Sequence, residues 1–405
     1  MTALSPGETV ALATIDPAAM LAQVEAWAAV NSGSRNLAGL ATMADLLAAA
    51  VAPLGGHLEL RDPTPVTAID AAGNPTALQH GRNLHLVQRP AAHVQVLLTG
   101  HMDTVFAVDH SFQACRWLDA TTLNGPGTAD MKGGIAVMLA ALQALEASPF
   151  AAAIGYEIVL NSDEEVSSLG SAALLAEAAA RCHLGLTFEP ALPDGTLAGA
   201  RKGSGNFAAV VRGRAAHAGR EPEQGRNAIV AAGDLALRLS KLPAERPSVS
   251  CNPAKIDGGG PNNIVPDLAV LRFNVRPASA DDQAWAITRI AALVEAVAAA
   301  HDVEITLDGS FARPPKPLDA NQRRLFDLVR DCGADLGLDI GWRDTGGVCD
   351  GNNLAATGLA VVDTLGPRGG AIHSDAENLL TDSLAERARL AALLLMRVAQ
   401  SGWTR

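Results

Sequence analysis

Residues 94–105 read VQVLLTGHMDTV, and this stretch decides the fold. Its apolar run is too short for a helix and is rich in Val and Leu, the pattern of a strand buried on both faces. The run stops at Gly100 and hands over to His101 and Asp103. Two residues apart at a strand end, these side chains can leave the sheet on the same side. Two more runs behave alike: YEIVLN at 156–161 leads into Ser162, Asp163, Glu164 and Glu165, and LGLTF at 184–188 leads into Glu189. A helical stretch over 132–147 separates the first run from the second. Strands alternating with helices predict an α/β fold with a mostly parallel central sheet, in which ligands collect beyond the carboxyl ends of the strands. Three strand ends are thus expected to bring metal-capable side chains to one rim.

Working outward, two Ala- and Leu-rich helices are expected over 17–55, the second halted by Gly55 and Gly56, with strands at 57–60 and 84–88. Late in the chain, helices at 321–333 and 383–399 flank a strand at 359–363. The middle reads differently: strand 207–212, helix 227–240, strands 248–256 and 268–276, helix 281–300, strand 303–307. That βαββαβ order is the ferredoxin-like split motif, able to fold as an inserted unit. The expected organisation is a discontinuous domain of residues 1–197 and 311–405, interrupted by an inserted domain of residues 198–310.

At 405 residues the chain has room for both. A net charge of −12 repels phosphate backbones and anionic lipid, and 8 Phe, 5 Trp and 1 Tyr provide few stacking platforms. Neither nucleic acid nor membrane is an expected partner; a small polar substrate is. The five cysteines never form CxxC, so neither a disulfide framework nor a thiolate zinc site is written here, and any metal must use His and carboxylates. No apolar run is expected to approach the ~20 residues of a membrane span, and the first residues lack a leader pattern. The expected location is the cytoplasm, or the periplasm if a signal peptide has been removed.

In the pair His101 and Asp103, one side chain can bind metal while a carboxylate on its second ring N–H fixes the tautomer. Alone, the pair equally fits a strand-end histidine beside a helix-capping aspartate. Asp130 lies in GPGTADMKGG (125–134), whose residue order around Lys132 departs from that of a phosphate-cradling GxxxxGK[ST] loop; a helix N-cap is its bland alternative. Glu164 and Glu165 are adjacent, so their side chains diverge and one can ligate while the other serves as general base. A solvated acidic turn reads the same way. His373 follows a glycine-rich loop and is weak evidence by itself.

The order GHMDTV, GTADMKGG, NSDEEVSSLGS, FEP, AAHAG, NIVPD, HSDAEN, spanning residues 101–378, resembles the co-catalytic zinc peptidases: glutamate carboxypeptidases, aminoacylases and acetylornithine or succinyl-diaminopimelate deacylases. The pattern is most similar to that of glutamate carboxypeptidase. The resemblance implies two Zn²⁺ per chain, with Co²⁺ or Mn²⁺ as substitutes, one held by His101, Asp130 and Glu189 and the other by Asp130, Glu165 and His373. It makes Glu164 the general base and Asp103 the residue that orients His101. It also implies a homodimer through a lid at 198–310, with His217 reaching the oxyanion of the partner's site. Asn263 and Arg276 match substrate-holding positions, Arg276 as a clamp on the substrate α-carboxylate. At the end of the apolar run LRFNV, Arg276 is expected to be buried and to need an anion. Gly346, Gly347 and Asp350 match a pocket wall from which Val348, Cys349 and Asn352 depart.

The implied activity is metal-dependent hydrolysis of a peptide or N-acyl amide bond next to a free α-carboxylate, carboxypeptidase-like, with an N-acyl-amino-acid deacylase as the alternative. The alternative from another class is a non-catalytic binding protein on the same scaffold. The retention of Glu164 argues against it, since a pure binder has no use for a base.

Overall fold

The computed structural model describes residues 4–404; residues 1–3 and 405 of the expected outer domain lie outside the described residues. In chain order the strands that matter are β1 (His57–Arg61), β2 (Asn83–Gln88), β3 (Val94–His101), β4 (Ile154–Asn161), β5 (Leu184–Thr187), β6 (Ser204–Arg212), β7 (Ser250–Gly258), β8 (Leu268–Arg276), β9 (Glu304–Arg313) and β10 (Ala360–Val362). β1 to β5 and β10 form one six-stranded sheet in the order β1-β2-β4-β3-β5-β10. The pairs β4-β3, β3-β5 and β5-β10 are parallel, and the two pairs involving β2 are antiparallel. This is the mostly parallel sheet expected from the sequence.

Every residue of β3 and β4 is buried, because helices cover both faces. Val96 and Leu98 point into a core shared with helices Gly134–Glu146 and Ser383–Ser401. Leu97 points the other way, onto helices Ala172–Arg181 and Asp350–Ala356 through Leu174, Leu175 and Leu354. The alternation of one strand thus stitches three layers together.

β6 to β9 form a separate, wholly antiparallel sheet in the order β7-β8-β6-β9. Helices Ala228–Leu239 and Ala280–His301 pack on one face of it over their own core, which includes Leu235, Leu271, Val275, Ile290 and Val297. The connectivity is βαββαβ. The strand Leu197–Arg201 still pairs with Trp342–Thr345 of the outer segments, and β9 runs on to Arg313. The chain therefore crosses between the two sheets at 202–203 and at Pro314, a few residues beyond the expected 198 and 310.

Two segments correct the statement about membrane-length runs: Leu37–Leu54 and Ala280–His301 are apolar and long enough to span a bilayer by length and composition. Both lie on the protein instead. Leu40, Met43, Leu47 and Val51 of the first and Ala286, Ile290, Leu293 and Val297 of the second are one buried helical stripe each. Helix Pro6–Leu12 and the hairpin of Val66–Ile69 with Pro75–Leu78 went unforeseen. The helix starts on a capping box in which Ser5 and Glu8 exchange hydrogen bonds.

Candidate active site

His101 ends β3, and its ring is 1 % exposed. Nδ1 lies 2.9 Å from the backbone carbonyl of Asp103 and 3.4 Å from that residue's Oδ1. A carbonyl can only accept, so Nδ1 carries the hydrogen and, in the neutral ring, Nε2 keeps its lone pair. Nε2 faces Asp130 Oδ1 at 3.1 Å and Glu189 Oε1 at 3.8 Å. Asp103 thus meets the imidazole with both its carbonyl and its carboxylate, the carbonyl being the nearer. The carboxylate accepts from Ser34 Oγ at 2.7 Å and from the backbone N–H groups of Glu164 at 3.1 Å and Glu165 at 3.2 Å. It fixes the turn that carries both glutamates beyond β4.

Asp130 sits in the tight turn before helix Gly134–Glu146. The glycines there permit a close approach: a Cβ on Gly134 would collide with the Phe188 carbonyl at the end of β5, next to Glu189. On its far side Asp130 Oδ2 lies 3.3 Å from His373 Nε2, which is 3.2 Å from Glu165 Oε2. Asp130 thus stands between two histidines, with Glu189 on one side and Glu165 on the other.

The electrostatics show how crowded the cluster is. Burial pushes up Glu164, Glu165 and Glu189, Glu165 to about 7, with neighbouring carboxylates adding to the rise. Burial also opposes ionisation of Asp130, but the hydrogen bonds of His101 and His373 outweigh it and hold this carboxyl well below the usual range. Hydrogen bonds to Asp130 and Glu165 raise His373 to about 11. Four acidic groups converging out of water demand cationic compensation, and oxygen and imidazole donors suit divalent transition metals. The donor atoms fit: one each from His101, Asp130 and Glu165 lie within 4.8 Å of one another, as do one each from His101, Glu164 and Glu189. The second grouping puts Glu164 within ligating reach, a rival to its role as base.

The cluster opens into a cavity of about 1010 Å³ whose opposite wall is the sheet β6-β9, through Ser204, Asn206, Asn274 and Arg276. Arg276 corrects its expectation. It is only half-buried, and its guanidinium donates to the Gly346 carbonyl at 2.9 Å and to Asn274 Oδ1 at 3.0 Å, both neutral acceptors. In β8 the apolar Leu271, Phe273 and Val275 face the helices, while Arg272, Asn274 and Arg276 alternate with them on the other face. Gly347 lines the cavity as well, and Gly346 reaches it through the carbonyl bound to Arg276. Cys349 caps helix Asp350–Ala356, its thiol pushed well up by burial, and Asn352 donates to the carbonyls of Lys202 and Pro314 at the two chain crossings.

His217 and Asn263 are not brought to the cluster of their own chain. Both are exposed, on neighbouring loops joined by the Ala218 N–H to the Asn263 carbonyl at 2.9 Å, and neither lines the cavity. Two arginines escaped sequence reading. Arg313, the last residue of β9 and 6 % exposed, places Nη2 2.6 Å from Glu164 Oε1 and donates to the Glu164 carbonyl at 2.7 Å. Arg201 lines the cavity and is tied to buried Asp363 at 2.8 Å. Their signal was slight: each is a basic residue beside a chain crossing, Arg201 before Lys202 and Arg313 before Pro314.

Residues 97–397 match the model of peptidase family M20/M25/M40. The chain belongs to that family. Within it, the chain is similar to carboxypeptidase G2 of Pseudomonas sp. strain RS-16, at 30 % identity over 95 % of this chain and 90 % of that protein. It is also similar to a succinyl-diaminopimelate desuccinylase of Acidovorax ebreus, at 28 % identity over 83 % and 87 %. In fold it matches a tripeptidase of Staphylococcus aureus with a TM-score of 0.74 and 21 % identity, covering 96 % of this chain and all of that one. Membership makes the protein a metal-dependent hydrolase of amide bonds.

Proposed function

We propose that this M20 protein releases an amino acid with a free α-carboxylate from a peptide C-terminus or an N-acyl amide, using two zinc ions per chain. The observation that carries the reading is the pairing of Asp130 with two histidines, His101 and His373, at 3.1 and 3.3 Å. His101, Asp130 and Glu189 would hold one ion, and Asp130, Glu165 and His373 the other. When bound, two such ions acidify a water and polarise the scissile carbonyl. Glu164 takes the proton of the attacking water and returns it to the leaving nitrogen. Arg313 and Asp103 hold that carboxylate and its turn in place, and Arg276 orients the substrate from the opposite wall. The desuccinylase relative favours a second reading, removal of an N-acyl group from a free amino acid, which uses the same residues and differs in what the acyl side accepts.

Arg276 provides the test of substrate class. Its two hydrogen bonds go from Nε and Nη1 to neutral acceptors, which leaves N–H groups on Nη1 and Nη2 for a carboxylate, a contact worth ~1.5–3 kcal/mol or roughly 10–200-fold in kcat/KM. An N-acyl amino acid should therefore be hydrolysed faster than its C-terminal amide by about that factor. Arg276→Ala should erase the difference by slowing only the acid, and Arg276→Lys should recover it in part, having charge without the fork. Equal rates for acid and amide on the parent enzyme would remove the carboxylate clamp.

We further propose that residues 198–310 act as a lid and dimerisation unit that presents His217 and Asn263 to the partner's cavity. Their exposure and distance from their own cluster support it. Mixing His217→Ala with Glu164→Gln chains should then regenerate activity, because one site of each mixed dimer has both residues. Mixtures no more active than either parent variant would mean that His217 acts within its own chain or not at all.

A further inference from the structure

Glu377, in the stretch HSDAEN, is a carboxylate that the chemistry above leaves without a task, although it is 1 % exposed and lies beside the cluster. Its side chain accepts three backbone N–H groups: Gly127 at 3.1 Å on Oε2, and Ala129 and Asp130 at 3.0 Å each on Oε1. All three belong to the turn that aims the Asp130 carboxylate, one of them Asp130's own amide. Glu377 is also four residues after His373 on a single loop. That loop is the tip of a hairpin closed by Gly369–Gly370 against Asn378–Leu380, and the second of these strands pairs with Thr122–Asn124, which leads directly into the Asp130 turn. Asn124 laces the two loops again, its amide donating to the carbonyls of Asp375 at 3.1 Å and Glu377 at 2.6 Å, and the Gly125 N–H donates to the Glu377 carbonyl at 3.3 Å.

Such bracing has a purpose here. His373 is the exposed member of the cluster, 53 % exposed where His101 is 1 %, and no strand end fixes it as β3 fixes His101. Its position relative to Asp130 is set by whatever ties its loop to the Asp130 turn. We propose that Glu377 is a positioning residue that fixes the separation of Asp130 from His373, and hence the affinity and geometry of the one ion these two share with Glu165. The inference rests on the ligand assignment proposed above. The ion facing His101 and Glu189 keeps its strand-end ligands whatever Glu377 does.

Glu377→Gln tests it, since the carboxamide keeps the volume but must turn an N–H donor toward either Gly127 or the Ala129 and Asp130 pair. Metal-free protein is titrated with Co²⁺, reading stoichiometry by calorimetry and ligand geometry by visible absorption. The parent should take up two ions. Glu377→Gln should bind one ion about 10–100-fold more weakly, the scale expected when a group supporting a ligand is lost, and the other, which shares Asp130 but keeps His101 and Glu189, distinctly less weakly. His373→Ala should weaken the same ion, and the double variant should lose little more than His373→Ala alone, because both act on one site. Asn124→Ala, which cuts the lacing from the other loop, should weaken that ion too and serves if Glu377→Gln loses its near-UV circular dichroism. Two ions bound by Glu377→Gln within threefold of the parent, or both weakened alike, would overturn the positioning role. A parent that binds fewer than two ions would instead overturn the ligand assignment beneath it.

Discussion

Replacing Glu164 by Gln is expected to cut kcat by about 10²–10⁴-fold, the contribution of a positioned proton-transfer group, while metal content and KM stay close to those of the parent. Glu164 begins a short turn just past β4, 6 % exposed, with its N–H held by Asp103 and its carbonyl and Oε1 by Arg313. The amide of Gln preserves size and both backbone bonds, so the turn keeps its shape and Glu165 its place. What disappears is the ability to accept a proton, a capacity that burial strengthens by pushing this carboxyl well above the carboxylate range despite the opposing charge of Arg313. Glu165→Ala should behave in the opposite way, losing metal first. Because Glu164 also lies within ligating reach alongside His101 and Glu189, the comparison has a real alternative. Loss of metal from Glu164→Gln equal to that from Glu165→Ala would make Glu164 a ligand, and retained turnover would end its role as base.

The second large effect concerns stability. Asp363 follows β10 and is fully buried, with Oδ2 2.8 Å from both Arg201 Nε and Lys316 Nζ; Lys316 is also fully buried. Asp363→Ala leaves two buried cations without their anion and should cost about 3–5 kcal/mol in urea unfolding of the metal-free protein at pH 7. Burial by itself would raise the Asp363 carboxyl, but the charges of Arg201 and Lys316 outweigh it and hold the group below its ordinary value. A carboxyl depressed in the folded state stabilises above the unfolded pKa of ~3.9, and that stability is lost as pH falls through the folded value. The deficit of the variant should therefore be complete at pH 7 and shrink only in acid below about pH 4. A deficit under about 1 kcal/mol at pH 7 would mean that the cations find other partners.

The sequence exposed what local pattern can carry. Short, mainly apolar runs leading into His101, Glu164 and Glu189 marked the strands and the rim, because central parallel strands are buried on both faces and their ends are where polarity returns. The βαββαβ order was likewise written in the alternation of periods. Arg276 was misjudged because LRFNVR was read as an apolar run, whereas its alternation puts Asn274 and Arg276, which line the cavity, on the face opposite Phe273 and Val275. Arg313 and Glu377 were hidden for another reason. They act on Glu164 and on the Asp130 turn across 149 and 247 residues of chain, and no local periodicity records a contact of that span. The hairpin at Val66–Ile69 and Pro75–Leu78 was missed because its strands are only four residues long and none of their residues is buried.

We propose that Asp130 is shared between two ions that together support amide hydrolysis. Metal-free protein should be reconstituted with increasing Zn²⁺ while hydrolysis of one N-acyl amino acid is followed, alongside Asp130→Ala under the same conditions. Activity should rise from none to a plateau at two ions per chain, with Asp130→Ala binding neither ion tightly and showing no turnover. Full activity in protein free of transition metal, or two tightly held ions in Asp130→Ala, would contradict it.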